Sequence, residues 1–141
     1  MSIHAVANLR TTIDHYLRRH QISFEIDRDG DFALRQGSTK VFLRPLRWGD
    51  DQTIVKLFAP VAVNISHISL ELTRFLLEEN HNVLFGKFSL DFAHRAIWFE
   101  HVLLGDSLDA DELLSAIISI AVTADKYDNQ VAKYTGGSTF L

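Results

Sequence analysis

The residues from Phe85 to Leu104 constrain the fold more than any other stretch of the chain. Just before them, Ile68, Leu72, Phe75 and Leu76 recur at helical spacing, with Leu77 widening the stripe. From Phe85 the apolar period drops from 3.6 to 2: Phe88, Leu90 and Phe92 alternate with Lys87, Ser89 and Asp91, the pattern of a half-buried strand. The return strand, 95–104, places Ile97, Phe99 and Leu103 on one side. Ala96, Trp98, Val102 and Leu104 make the other side apolar too. A strand of an antiparallel sheet can leave one face wet, but a wet face should be polar. This chain therefore has to fold as a sheet with one face under helices and a second apolar face in need of a cover.

The rest of the chain supplies those partners. A helix over 3–20 is expected from Val6, Leu9, Ile13, Tyr16 and Leu17, with Ser2 as N-cap. Ile22, Phe24 and Ile26 then alternate with polar residues, Asp29-Gly30 gives a tight turn, and Phe32 and Leu34 begin the return. Residues 39–48 read as a strand, placed at an edge or bulge because Pro45 cannot donate to a ladder. A longer strand covers 52–63, ended or bent by Pro60. A second helix spans 67–80, capped by Ser66 and stopped by Asn80-His81-Asn82. A third spans 110–134. Asp109 and Glu112 have capping-box spacing there, and Leu108 and Leu113 sit where a hydrophobic staple would. Its seam runs Leu113, Ile117, Ile120, Ala124, Tyr127, Val131 and Tyr134, widened by Leu114, Ile118 and Ala121, before Gly136-Gly137 ends it. The fold class is α+β: a strongly bent antiparallel sheet of about five strands with three helices, in the order α-β-β-β-α-β-β-α.

With 141 residues the chain fits one domain, 1–141, and can bury its own core. No apolar run is long enough to span a bilayer. MSIHAVANLR lacks the features of a signal peptide, and there is no cysteine for a disulfide, thiol nucleophile or thiolate metal site. A cytoplasmic protein is expected. The net charge of −4 argues against nucleic acid as partner. Residues 61–141 carry five Lys/Arg against eleven Asp/Glu, so the acidity is concentrated there.

Sites with chemistry reduce to structural roles. Asp27, Asp29 and Asp31 around Gly30 suggest a calcium loop, but position twelve from Asp27 is Ser38, where such a loop needs a bidentate glutamate. A hairpin turn is the reading. His94 and His101 lack the spacing of a paired metal site, so no metal or cofactor is expected. There is no nucleophile elbow and no glycine-rich phosphate loop leading into a helix, so no catalytic residue is assigned. Arg35, Lys40, Arg44 and Arg47 beside Phe42 and Trp48 could stack and pair with single-stranded nucleic acid, but charges also protect an edge strand.

The pieces LLEENHNVLFGKFSLD (76–91), ADKYD (124–128) and Gly136-Gly137 resemble the YbjN family, whose domain is similar to the secretion-chaperone-like fold of type III chaperones. The resemblance implies a small, acidic, homodimeric, non-catalytic domain that binds peptide segments of other proteins or regulates them. The chain departs from the pattern at the second hairpin, where Phe92-Ala93-His94 replaces a glycine-containing turn. The family has no catalytic residue to transfer.

The expected function is therefore a non-enzymatic peptide- or protein-binding, chaperone-like or regulatory module. A ligand-sensing regulator with an enclosed small-molecule pocket is the alternative. The first expects a large exposed apolar surface; the second expects convergent polar groups in a pocket. The expected partners are a second copy of the chain and a protein client, with no nucleic acid and no membrane. The expected binding surface is the second face of the sheet: Phe42, Leu46 and Trp48 on one strand and Trp98, Val102 and Leu104 on another, rimmed by Arg44, Arg47 and Glu100. These residues could equally complete the core or a dimer seam.

Overall fold

A computed structural model of the chain describes residues 5–135. Ser2 and Gly136-Gly137, expected as helix signals, lie outside the described residues. The elements are α1 (Ala5–Arg19), β1 (Phe24–Ile26), β2 (Phe32–Gln36), β3 (Thr39–Trp48), β4 (Gln52–Ala62), α2 (Leu70–Asn82), β5 (Lys87–Asp91), β6 (Ala96–Leu104) and α3 (Ala110–Thr135). The sheet has six strands rather than about five, all antiparallel, in the order β1-β2-β3-β4-β6-β5. β1 pairs with β2 across the expected Asp29-Gly30 turn, and the added strand arises at Gln36-Gly37-Ser38, where the chain reverses so that β2 and β3 are two paired strands. No helix among the described residues is long and apolar enough to cross a membrane.

All three helices share one core with a single face of the sheet. Leu9, Ile13 and Leu17 of α1, Leu72 and Leu76 of α2, and Leu113, Ile117, Ile120, Ala124, Tyr127 and Val131 of α3 pack with Val41, Leu43, Val55, Leu57, Ala59, Ile97 and Phe99. The strand residues in this set are the alternate positions of β3, β4 and β6. Ring and chain contacts lock the layers: Tyr16 donates to the Leu108 carbonyl (3.0 Å), and Tyr127 to Glu79 (2.7 Å). The Glu79 carboxylate pushes the Tyr127 phenol up to about 12.

Helix ends show where local reading works. Asp109 accepts from the Glu112 amide at 2.7 Å, and Leu108 and Leu113 are buried beside it. The α1 terminus is a Schellman motif: Ile22 N–H donates to Leu17 O and Gln21 N–H to Arg18 O, with Gln21 in the left-handed region at φ 61°. The cap of α2 is Ser69, not Ser66; the Ser69 hydroxyl accepts from the Leu72 amide, while Ser66 donates to the Thr135 carbonyl. At its other end α2 runs through Asn82 and leaves into an extended Val83, so Asn80-His81-Asn82 is helix rather than stop.

Three strand expectations are refined. β3 is interior as far as Leu43, where β2 is its second neighbour. Past that point only β4 flanks it, and this is where Pro45 sits opposite Val55. Of the two roles expected of Pro60, bending is the one that fits: β4 runs on to Ala62, and its register with β6 shifts between Pro60 and Ala62, a bulge of the kind that bends a strand. Phe92 leaves the sheet into the β5–β6 turn and is exposed.

Candidate functional site

With every helix on one side, the other face of the sheet has no layer over it. Its residues are the positions that alternate with the core: Phe42, Arg44, Leu46 and Trp48 on β3, Ile54, Lys56 and Phe58 on β4, and Trp98, Glu100, Val102 and Leu104 on β6. Because β4 lies between β3 and β6, side-chain contacts along and across these strands sort the face into three interlocking bands.

The first band is apolar and open. Leu46 opposes Ile54, Ile54 opposes Leu104, and Trp48 closes the β3–β4 turn. Leu46, Trp48, Val102 and Leu104 are 38, 52, 41 and 63% exposed. The second band is ionic. Arg44 holds the buried Asp31 with two bonds of 2.8 and 2.7 Å, and this pairing raises its pKa further above its ordinary value. Glu100 accepts from Ser89 at 2.9 Å and lies 3.6 Å from Lys56 and 3.7 Å from Lys87. The third band is aromatic. The Phe42 and Phe58 rings stack at 5.3 Å, Trp98 meets both edge-on at 6.4 and 5.6 Å, and the Arg44 guanidinium lies 5.0 Å over Phe58. The second and third bands form an open groove of about 600 Å³, reaching from the 27–31 turn to Asp91.

The six apolar residues expected on the second face do share it. Arg44 and Glu100 stand among them. Arg47 does not: it opposes Thr53 in the row of Val41, Leu43 and Pro45, on the helical side. The expectation omitted Ile54, Lys56 and Phe58, although the alternation of β4 marks them as one face. What was missing was the strand order that puts β4 at the centre.

The other sequence candidates separate. Asp27, Asp29 and Asp31 bring ligand atoms within 4.8 Å of one another, the one such trio among the described residues. Asp27 Oδ1, however, accepts from the amides of Asp29 and Asp31, and both oxygens of Asp31 bond Arg44. That is the hairpin turn expected from Asp29-Gly30. His94 pairs with Asp91 in the β5–β6 turn at 2.9 Å, whereas His101 meets the Phe85 ring at a tilt, with centroids 3.8 Å apart, on the opposite face. Of the basic strip, Arg44 is committed to Asp31 and Lys40 lies 5.6 Å over Phe42, so the stretch does not present free cations in a row.

In fold the chain is similar to chains of several solved complexes, two of them described as chaperone complexes. To a chain of the HopA1–SchA chaperone–effector complex the TM-score is 0.66 at 11% identity, covering 92% of this chain and 98% of that one. To a chain of the ExsC–ExsE complex it is 0.65 at 14% identity, covering 93% and 97%. To a chain of the Yersinia pestis type III secretion chaperone SycH complex with a stable fragment of YscM2 it is 0.59 at 14% identity, covering 84% and 98%. No curated protein sequence matches the chain. The model of one family, TY-Chap1, described as T3SS (YopN, CesT) and YbjN peptide-binding chaperone 1, matches residues 4–141, and the chain belongs to that family of peptide-binding chaperones.

Proposed function

We propose that this protein is a cytoplasmic, non-catalytic chaperone that holds peptide segments of a client protein on the open face of its sheet and works as a homodimer. The observation that carries the reading is the uncovered face itself. Leu46, Trp48, Val102 and Leu104 stay exposed beside an aromatic cluster, although the chain has three helices available for burial. Fully burying a side chain of this kind contributes roughly 1.5–3 kcal/mol. A few of them support micromolar binding after ordering costs are subtracted. The polar groups of the face are engaged with one another, Arg44 with Asp31 and Glu100 with Ser89 and Lys56, which favours holding a segment over reacting with it. The hollow is open rather than enclosed, which favours a peptide over a small-molecule ligand. The similar folds were solved with effector or fragment partners, which supports the same reading.

Photo-cross-linking tests it. A benzoylphenylalanine placed at position 98 is expected to form client adducts in cells, and one placed at the exposed position 71 on α2 is not. Equal adducts at both positions, or none at 98, would remove the open face as the binding surface.

A further inference from the structure

We infer that the groove on the open face selects an apolar peptide segment flanked by basic side chains, an inference that rests on the reading of this face as a peptide site.

The lining of the groove is unequal in charge. It carries five carboxylates, Asp27, Asp29, Asp31, Asp91 and Glu100, against two cations, Arg44 and Lys56. Both cations are already committed: Arg44 is bidentate to Asp31, and Lys56 faces Glu100. Lys87 approaches from β5 but points at Glu100 as well. Asp27 and Asp29 make no ion pair among the described residues. The Asp29 and Asp31 amides donate to Asp27 Oδ1, neutral donors that do not cancel its charge, and Arg44, which also senses Asp27 and Asp29, supplies one positive charge against three carboxylates. Arg28 belongs to the same turn but lies outside the lining. At the far end, Asp91 accepts from the His94 amide, which holds its carboxyl below the usual range and keeps it ionised, and among the described residues its one ion-pair partner is the His94 ring. The groove thus has an acidic terminus at each end and an aromatic floor of Phe42, Phe58 and Trp98 between them.

That arrangement discriminates among segments. An acidic side chain at either end would meet like charge, whereas a lysine or arginine would meet an unmatched carboxylate and lay its aliphatic stem along the rings. The two ends are separated by four strand spacings from β2 to β5, on the order of 20 Å. About six residues of extended chain span that distance, leaving room for apolar side chains over the floor.

Two labelled peptides test the inference: acetyl-Lys-Ala-Phe-Ala-Leu-Ala-Lys-amide and its twin with glutamate at both ends. The lysine peptide is expected to bind the full chain about tenfold more tightly than the glutamate twin at low salt, with the preference shrinking as salt screens it. The triple variant Asp27→Asn, Asp29→Asn, Asp91→Asn keeps an acceptor oxygen for each turn amide, so its melting temperature should stay near that of the unmodified chain while the preference disappears. Asp91→Asn alone, remote from the 27–31 turn, should lose part of it. Equal affinities, a preference for the glutamate peptide, or no binding of the lysine peptide overturns the inference. Equal binding of both peptides that Trp98→Ala abolishes would overturn the charge selection alone and leave the open face as a peptide site.

Discussion

The Asn80 side chain stands in for a strand at the outer edge of the sheet: its carboxamide accepts from the Phe88 amide at 2.6 Å and donates to the Phe88 carbonyl at 3.2 Å. Phe88 is on β5, the terminal strand, and these are the two backbone groups that a further strand would pair with. One helix side chain thus satisfies both and blocks the edge, a device that discourages sheet-to-sheet association. Asn80→Ala should leave both groups without a protein partner. Each lost hydrogen bond costs about 0.5–1.5 kcal/mol. Chemical denaturation should show that loss, and light scattering should show association that grows with concentration. An unchanged midpoint and a particle size independent of concentration would assign the edge no such protection.

The two tryptophans of the open face should behave differently. Trp48 is half exposed and ends the apolar band, so Trp48→Ala is expected to leave the melting temperature unchanged and weaken client capture. Trp98 packs against Phe42 and Phe58, so Trp98→Ala should weaken capture and also destabilise by about 1–3 kcal/mol. Thermal melts beside a pull-down separate the two effects. Unfolding of both variants would make the tryptophans structural.

Asp109 belongs to the helix start and not to a site. Removing its bond to the Glu112 amide by Asp109→Ala should cost about 1 kcal/mol and leave client binding intact. A binding loss larger than the stability loss would place Asp109 in the interface.

His101 should give the protein an acid-side loss of stability. Burial, with Lys87 as a smaller contribution, lowers its pKa in the folded state. The unfolded chain therefore takes up that proton first as the pH falls below about 6.5. The contribution of His101 is complete above that pH and declines below it, until the folded pKa is reached. Denaturation midpoints between pH 7.5 and 5 should fall in the unmodified chain and fall less in His101→Gln. Parallel pH profiles would show that His101 is not responsible.

Self-association should use a different surface from the client. Leu84, Phe85, Ile118 and Val122 line a second hollow on the helical layer, remote from the open sheet face. Light scattering at micromolar concentration is expected to give twice the 16.0 kDa chain mass, and Ile118→Glu with Val122→Glu should return it to the mass of one chain. A monomer in the unmodified protein would overturn the dimer.

Period alone determined which side chains travel together. The alternation in 39–48 and 95–104 set Phe42, Leu46 and Trp48 on one face of their strand and Trp98, Val102 and Leu104 on one face of theirs. Asp109 and the α3 seam were equally legible, because a cap and a helical stripe depend on residues within one or two turns. What local spacing could not decide was which strands become neighbours. The pairing of β4 with β6 closes across α2 and β5, and that long-range pairing brings Ile54, Lys56 and Phe58 between the two expected halves of the site. The β2–β3 hairpin, with Phe32 opposite Leu43, carries the 27–31 turn against Arg44 and turns an apparent basic strip into one side of an ion pair. Ile118 shows the same division on a helix: its spacing widens the apolar stripe, yet it is 55% exposed, because it lies beyond the face that Leu113, Ile117, Ala121 and Ala124 bury. Asn80 and Ser66 were read as local helix signals, but each side chain bonds to backbone brought near by the fold, Phe88 and Thr135 respectively. Spacing along a chain sets the face of an element; the free energy of packing elements together decides what that face meets.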